Sequence, residues 1–164
     1  MSTLKLAIPL ILLLIIFTGC NQNDDEDDNR LEIYTSNDLD LIHNNSSKTW
    51  KLEAFYDRHE NNRISSLNDC FIDDTYIFKT DNEVEVISGG EGCYYGNSEI
   101  TDGRYSFYAE SGKVFFTMIR QKVTDNIVRS SSFTLELIVL KENRMVFASG
   151  DKSNYGRALI FVKN

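Results

Sequence analysis

The chain predicts an all-β domain, an antiparallel barrel or sandwich of about eight short strands, set behind an N-terminal export signal and an acidic tether. Three observations predict it. Apolar and polar residues alternate along segment after segment between positions 50 and 162, the period-two pattern of half-buried strands. Turn-forming residues separate those segments, as at Asp81-Asn82, Glu110-Ser111-Gly112 and Glu142-Asn143. No segment carries the 3.6-residue apolar period of a long amphipathic helix.

The elements follow in order from the N-terminus. Lys5 precedes residues 6–17, which hold no charge or strongly polar group. A membrane-spanning helix needs roughly 20 apolar residues, so this run is too short to span and fits the core of a secretory signal. Thr18-Gly19-Cys20 comes next. Small residues ahead of a cysteine resemble the lipobox of bacterial lipoproteins, in which the chain is cut before the cysteine and its sulfur is acylated. The resemblance implies a signal peptide over residues 1–19 and a mature chain that begins at a lipidated Cys20. Several acyl chains, palmitate among them, hold a protein on a membrane where a single chain binds only reversibly.

Residues 20–45 read as the tether. Positions 21–45 hold eight acidic residues against Arg30 alone, so most of the formal charge of −8 sits here, above all in Asp24-Asp25-Glu26-Asp27-Asp28. Like charges among polar residues repel and bury no core, which predicts a solvated spacer. Acids just after a lipidated cysteine also resemble the signals that send some Gram-negative lipoproteins to the cell surface. That resemblance implies a place in the cell envelope, on the outer membrane and facing the exterior. Spacer and address both remain open. Ser36-Asn37 is suited to cap one helical turn through Leu39, Leu41 and Ile42, and His43 falls in solvated chain.

Residues 46–164 suffice for one domain with its own core and are too few for two. Trp50, Leu52 and Ala54 alternate with Lys51 and Glu53 in a first strand, and a polar loop is expected over 58–69. Tyr76 and Phe78 mark a strand over 75–79, which turns at Asp81-Asn82, residues that tolerate positive φ, into a partner over 83–87. Gly89-Gly90-Glu91-Gly92 is too glycine-rich for a strand. It precedes no helix and no GK[ST], so it is no phosphate loop. Tyr105 and Phe107, then Val114, Phe116 and Met118, mark the next hairpin. A long strand over 132–140 places Phe133, Leu135, Leu137 and Val139 on one face. Strands at 145–147 and 158–162 complete the eight.

Cys70 and Cys93 are an even pair once Cys20 is set aside. An exported context favours a disulfide over two free thiols or a metal pair. The two cysteines stand symmetrically about the turn, eleven residues before Asp81 and eleven after Asn82. A hairpin folded there brings them together.

The chemistry of sites is mostly excluded. No basic cluster exists to neutralise phosphates, so nucleic acid is not an expected partner. His43 and His59 have no ligand-like spacing to either cysteine, no cofactor motif is present, and no serine sits in G-x-S-x-G. Adjacent strand residues point to opposite faces, so Asp73 and Asp74 cannot act together on one substrate. Hydrogen bonding beside the disulfide suits them better. An enzyme is not expected, and neither is a metal or cofactor.

Lys48-Thr49-Trp50-Lys51-Leu52, Cys70 with Asp73-Asp74-Thr75-Tyr76-Ile77-Phe78, then Cys93 and Gly103-Arg104-Tyr105-Ser106-Phe107 together resemble the lipocalin-like domain of bacterial lipoproteins. The resemblance spans residues 45–164. It differs from the family pattern at Asn82, where a turn glycine is usual, and at Tyr105, where tryptophan is usual. It implies a small up-and-down β-barrel of about eight strands, the size whose interior either fills with side chains or holds one small ligand. Trp50, Tyr76, Phe78, Tyr105, Phe107 and Phe116 point inward by parity. They line a pocket on one reading and form core on the other, the commoner case for aromatics on alternate positions.

Two function classes follow. One is a membrane-anchored lipoprotein that holds a small apolar or amphipathic ligand in its barrel. The other is a non-enzymatic structural or interaction protein of the envelope, with a filled barrel and loop-borne tyrosines at Tyr94-Tyr95 to meet a protein partner.

Overall fold

The computed structural model describes residues 33–124, 127–151 and 153–164. The signal peptide, Cys20 and the acidic run 24–28 lie outside them. A one-turn helix α1 (Asp40–His43) leads into β1 (Ser47–Arg58), the two-residue β2 (Arg63–Ile64) and a short helix α2 (Asn68–Asp73). Seven strands follow: β3 (Thr75–Lys79), β4 (Glu83–Ile87), β5 (Ile100–Tyr108), β6 (Lys113–Thr124), β7 (Ile127–Lys141), β8 (Arg144–Ala148) and β9 (Ala158–Lys163).

β3 to β9 pair antiparallel in chain order, β1 pairs with β3, and β9 returns to β1. The result is a closed eight-stranded up-and-down barrel. Its eight strands are those read from the sequence, and closure leaves no strand of the ring without a partner on either side. β2 lies outside as a flap on the end of β1, with Ile64 opposite Tyr56. The turn between β3 and β4 falls at Asp81-Asn82, where Asn82 takes φ 69°. Asparagine visits this left-handed region more readily than most residues.

Several details differ from the sequence reading. The expected loop over 58–69 contains β2 and the start of α2. At six residues α2 is too short to show a helical period, yet it buries Cys70 and Phe71. In β7 a register shift between Leu137 and Val139 puts Leu140, rather than Val139, against the core, because a bulge moves the following residues to the other face. Residues 33–45, read as the end of the tether, pack on the barrel, with Tyr34 and Ile42 in its core.

The strand directions define two ends. At the closed end the chain comes in beside the β5–β6 turn, where the Tyr34 N–H donates to the Gly112 carbonyl at 2.7 Å. α1 plugs this end. Ile42 is fully buried, and the Trp50 indole N–H donates to its carbonyl at 2.9 Å. Lys48 Nζ donates to the carbonyls of Leu41 and Glu142 while lying 4.1 Å from the Trp50 ring centroid. His43 is buried beside Tyr105 instead of solvated. The α1 N-cap is Leu39, with no side-chain cap. Asp38 accepts from Thr35 instead.

The other end, the mouth, gathers β2, α2, the loop over 88–99 and the β6–β7 tip. The barrel wall is thinnest here, because β4 and β5 share only the pairs Glu83–Arg104 and Val84–Gly103. A Cβ on Gly103 would come 2.7 Å from the Val84 carbonyl oxygen. That position needs glycine for the strands to meet at all.

Candidate functional site

The inward aromatics come first, since they were the sequence's site. Trp50, Tyr76, Phe78, Tyr105 and Phe116 are all buried, and Phe107 is half-buried against the same cluster. Phe147 and Phe161, which the pocket reading omitted, complete the packing. Phe78, Phe116, Phe147 and Phe161 touch one another in every combination, with ring centroids 5.4–6.3 Å apart. Such spacing is that of aromatic pairs in contact. Tyr76 stands 5.1 Å from Phe161, and Tyr105 5.9 Å from Phe78.

The polar tips are satisfied within the chain. Tyr76 donates to the Phe71 carbonyl and Tyr105 to the Lys79 carbonyl. Burial pushes the Tyr105 phenol up to about 12, with the Asp81 charge adding to the shift. Burial and the Asp74 charge raise Tyr76 as well.

At the mouth the inward face of β6 changes character. Val114, Phe116 and Met118 are followed at the same parity by Arg120, whose side chain is only 2% exposed. Its guanidinium lies 4.2 Å over the Phe71 ring. Nη1 donates to Glu99 at 2.6 Å and Nη2 to Asp74, while Nε has no partner. Burial works against the Arg120 charge, but Tyr76, Glu99 and Asp74 outweigh it and hold the pKa above its ordinary value. One cation thus bridges two buried carboxylates. Lone charges at this depth would be costly; a hydrogen-bonded set is tolerated.

The same carboxylates organise the loop over 88–99. Asp74 accepts from the Gly89 N–H at 3.0 Å, and Asp73 from the N–H groups of Gly90 and Glu91. A Cβ at Gly89 would overlap the Asp73 carboxylate. Glu99 accepts from the N–H groups of Tyr94 and Tyr95 at 2.8 and 3.0 Å. The Cys70–Cys93 disulfide, with Cα atoms 5.3 Å apart, pins the loop to α2. Asp73 and Asp74 therefore act as loop braces beside the disulfide. Arg120 went unread in the sequence, although a cation on the inward parity of an apolar strand was the available signal.

Beside this brace lies a cleft of about 500 Å³ lined by Tyr94, Tyr95, Lys122, Thr124, Ile127 and Arg129. It exists because β6 and β7 outrun their neighbours. β5 begins opposite Gln121, and β8 reaches only Glu136 of β7. The two strands stand past the rim as an arm. Its inner face continues the inward parity with Lys122 opposite Arg129 and Thr124 opposite Ile127. Lys122 Nζ donates to the Tyr95 carbonyl at 3.2 Å, and the Tyr94 and Tyr95 rings lie 6.1 Å apart.

No protein-family model, curated protein or solved structure matches the chain. Among the described residues no group of three or more His, Cys, Asp or Glu is placed to hold a metal ion. The cleft instead offers two cations, two phenol rings and one aliphatic side chain, within the 300–1,000 Å³ range usual for small-molecule sites.

Proposed function

We propose that the protein is a lipid-anchored lipoprotein of the bacterial cell envelope, of the lipocalin-like kind, whose barrel is a solid scaffold and whose recognition surface lies at the mouth. One observation carries the solid-barrel reading: the four mutually touching phenylalanines fill the space where an interior ligand would sit. Against an enzyme stands the commitment of Asp73, Asp74, Glu99 and Arg120 to bracing the loop.

The anchor rests on the Thr18-Gly19-Cys20 arrangement behind a short apolar run. An anchored chain comes in at the closed end, beside Gly112, and the cleft lies at the far end of β6, roughly 36 Å along the strand at ~3.3 Å per residue. The scaffold thus carries its recognition surface away from the point where the chain comes in.

Fractionation of cells tests the anchor. Cys20→Ser should move the protein from the membrane fraction to the soluble periplasm or the medium, and unchanged partitioning would refute lipidation. Replacing the acids of run 24–28 with asparagine tests the surface address. Protease access on intact cells should fall at constant membrane content, whereas equal access leaves the run a spacer.

A further inference from the structure

We infer that the mouth cleft binds a small organic anion, a carboxylate, phosphate or sulfonate carried on an apolar or aromatic body. Charge is the first ground. Lys122 and Arg129 face each other directly across β6 and β7, a like-charge pairing that costs stability in a sheet. Among the described residues no carboxylate forms an ion pair with either. The neighbouring Glu99 is already taken by Arg120 and two backbone N–H groups. A cation pair that no described carboxylate neutralises, at the rim of a concave site, fits an anion supplied from outside.

The second ground is the floor. Tyr94 and Tyr95 bring two adjoining rings, and Ile127 on the arm adds an aliphatic side chain. Rings beside cations take an amphipathic ligand better than a bare inorganic ion, since the body is desolvated on the rings while the head meets the charges. Preorganisation is the third ground. The Glu99 carboxylate holds the backbone of both tyrosines, Arg120 holds Glu99, and the Cys70–Cys93 bridge adjoins Tyr94. Little ordering of the loop remains for the ligand to impose, which favours affinity.

This inference rests on the reading that recognition lies outside the barrel, and the test separates the two. The probe is 8-anilinonaphthalene-1-sulfonate, with N-phenyl-1-naphthylamine as the same ring system without the anion, titrated by fluorescence into the full chain carrying Cys20→Ser. The anionic dye should bind saturably at one site, more weakly as salt screens the cations, and at least about tenfold more tightly than the neutral dye. Lys122→Gln with Arg129→Gln should lower its affinity about tenfold with an unchanged far-ultraviolet circular dichroism spectrum. Dodecanoate or phenyl phosphate should displace it, and which one does so identifies an acyl or a ring body.

An affinity indifferent to the two cations, or equal displacement by dodecanoate and dodecanol, overturns the cleft. The solid-barrel reading fails differently: the neutral dye would then bind at a site untouched by the cleft variants and alter Trp50 fluorescence.

Discussion

The two ends of the barrel are built from the same strands and hold together by different physics. Toward the closed end, the inward residues are rings in mutual contact, sealed by α1 through Ile42 and the Trp50 indole. At the mouth, β6 keeps its parity but presents Arg120 and then Lys122, and the wall is completed by the 88–99 loop held by carboxylates and a disulfide. Apolar packing is non-directional and tolerant of detail. A bridged guanidinium and a row of loop N–H groups fix one geometry. The contrast teaches where to look for function, because a sequence departs from the consistent apolar pattern where something other than stability is being specified.

Substitutions should break the two ends in different ways. The largest effect is expected at Arg120. Arg120→Met strands the Asp74 and Glu99 carboxylates, and removing one partner from a buried charge set costs ~3–5 kcal/mol. Adding Asp74→Asn and Glu99→Gln should recover part of that loss in urea unfolding, and no recovery would show that the charges are not coupled. Phe116→Ala probes the packed rings and should cost ~3–5 kcal/mol as a cavity opens. Its two-state unfolding should leave the mouth loop as protected from proteolysis as before.

Reducing the Cys70–Cys93 bridge, or replacing both cysteines with serine, should cost about 3 kcal/mol on the chain-entropy account. The fold should persist, with hydrogen exchange accelerated in the 88–99 loop ahead of the ring cluster. Equal acceleration everywhere would erase the distinction between the ends.

Alkali tests the buried phenols, Tyr105 at the closed end and Tyr76 toward the mouth. Tyr105 is raised from 10.0 to about 12, so the native state binds its proton more tightly than the unfolded chain. The stability this confers is complete below pH 10 and is lost as pH rises through about 12. Tyr76 shifts in the same direction. Urea midpoints measured from pH 9 upward should fall across that window, and Tyr105→Phe should flatten the fall. The smallest effect belongs to the arm. Lys122→Gln should change stability by less than about 0.5 kcal/mol, because loss of the hydrogen bond to the Tyr95 carbonyl is offset by relief of the like-charge pairing with Arg129.

Much of the barrel was legible because most strands have one face to bury. Alternation located β1 and β3 to β7, and continuous apolar runs marked β8 and β9, which are buried on both faces. Asp81-Asn82 located the turn between β3 and β4. The turn also takes in Thr80, so Phe78 pairs with Val84 and not with Glu85 as a two-residue turn would have it. The cysteine pair followed from their symmetry about that turn. What stayed hidden had no periodic signal. α2 is shorter than two turns, and α1 belongs to the barrel through Ile42 and His43, two buried residues inside the stretch read as tether. The bulge in β7 shifts Leu140 inward without changing the composition of the strand.

The site was the harder part. Tyr94 and Tyr95 were readable as loop-borne anchors, but their neighbours Lys122 and Arg129 come from a hairpin arm whose reach past the rim depends on where β5 and β8 begin and end. Sequence parity places a residue on a face. It does not say how far the neighbouring strand extends.

The account turns on whether the interior is filled. Isothermal titration of indole into the wild-type full chain and into Phe116→Ala, each carrying Cys20→Ser, tests this directly. A filled barrel gives no binding in the wild type and saturable binding once the ring is removed, because an apolar void of that size stays dry and accepts apolar ligands. Saturable binding to the wild type, with a change in the fluorescence of Trp50, the single tryptophan in the chain, would contradict it.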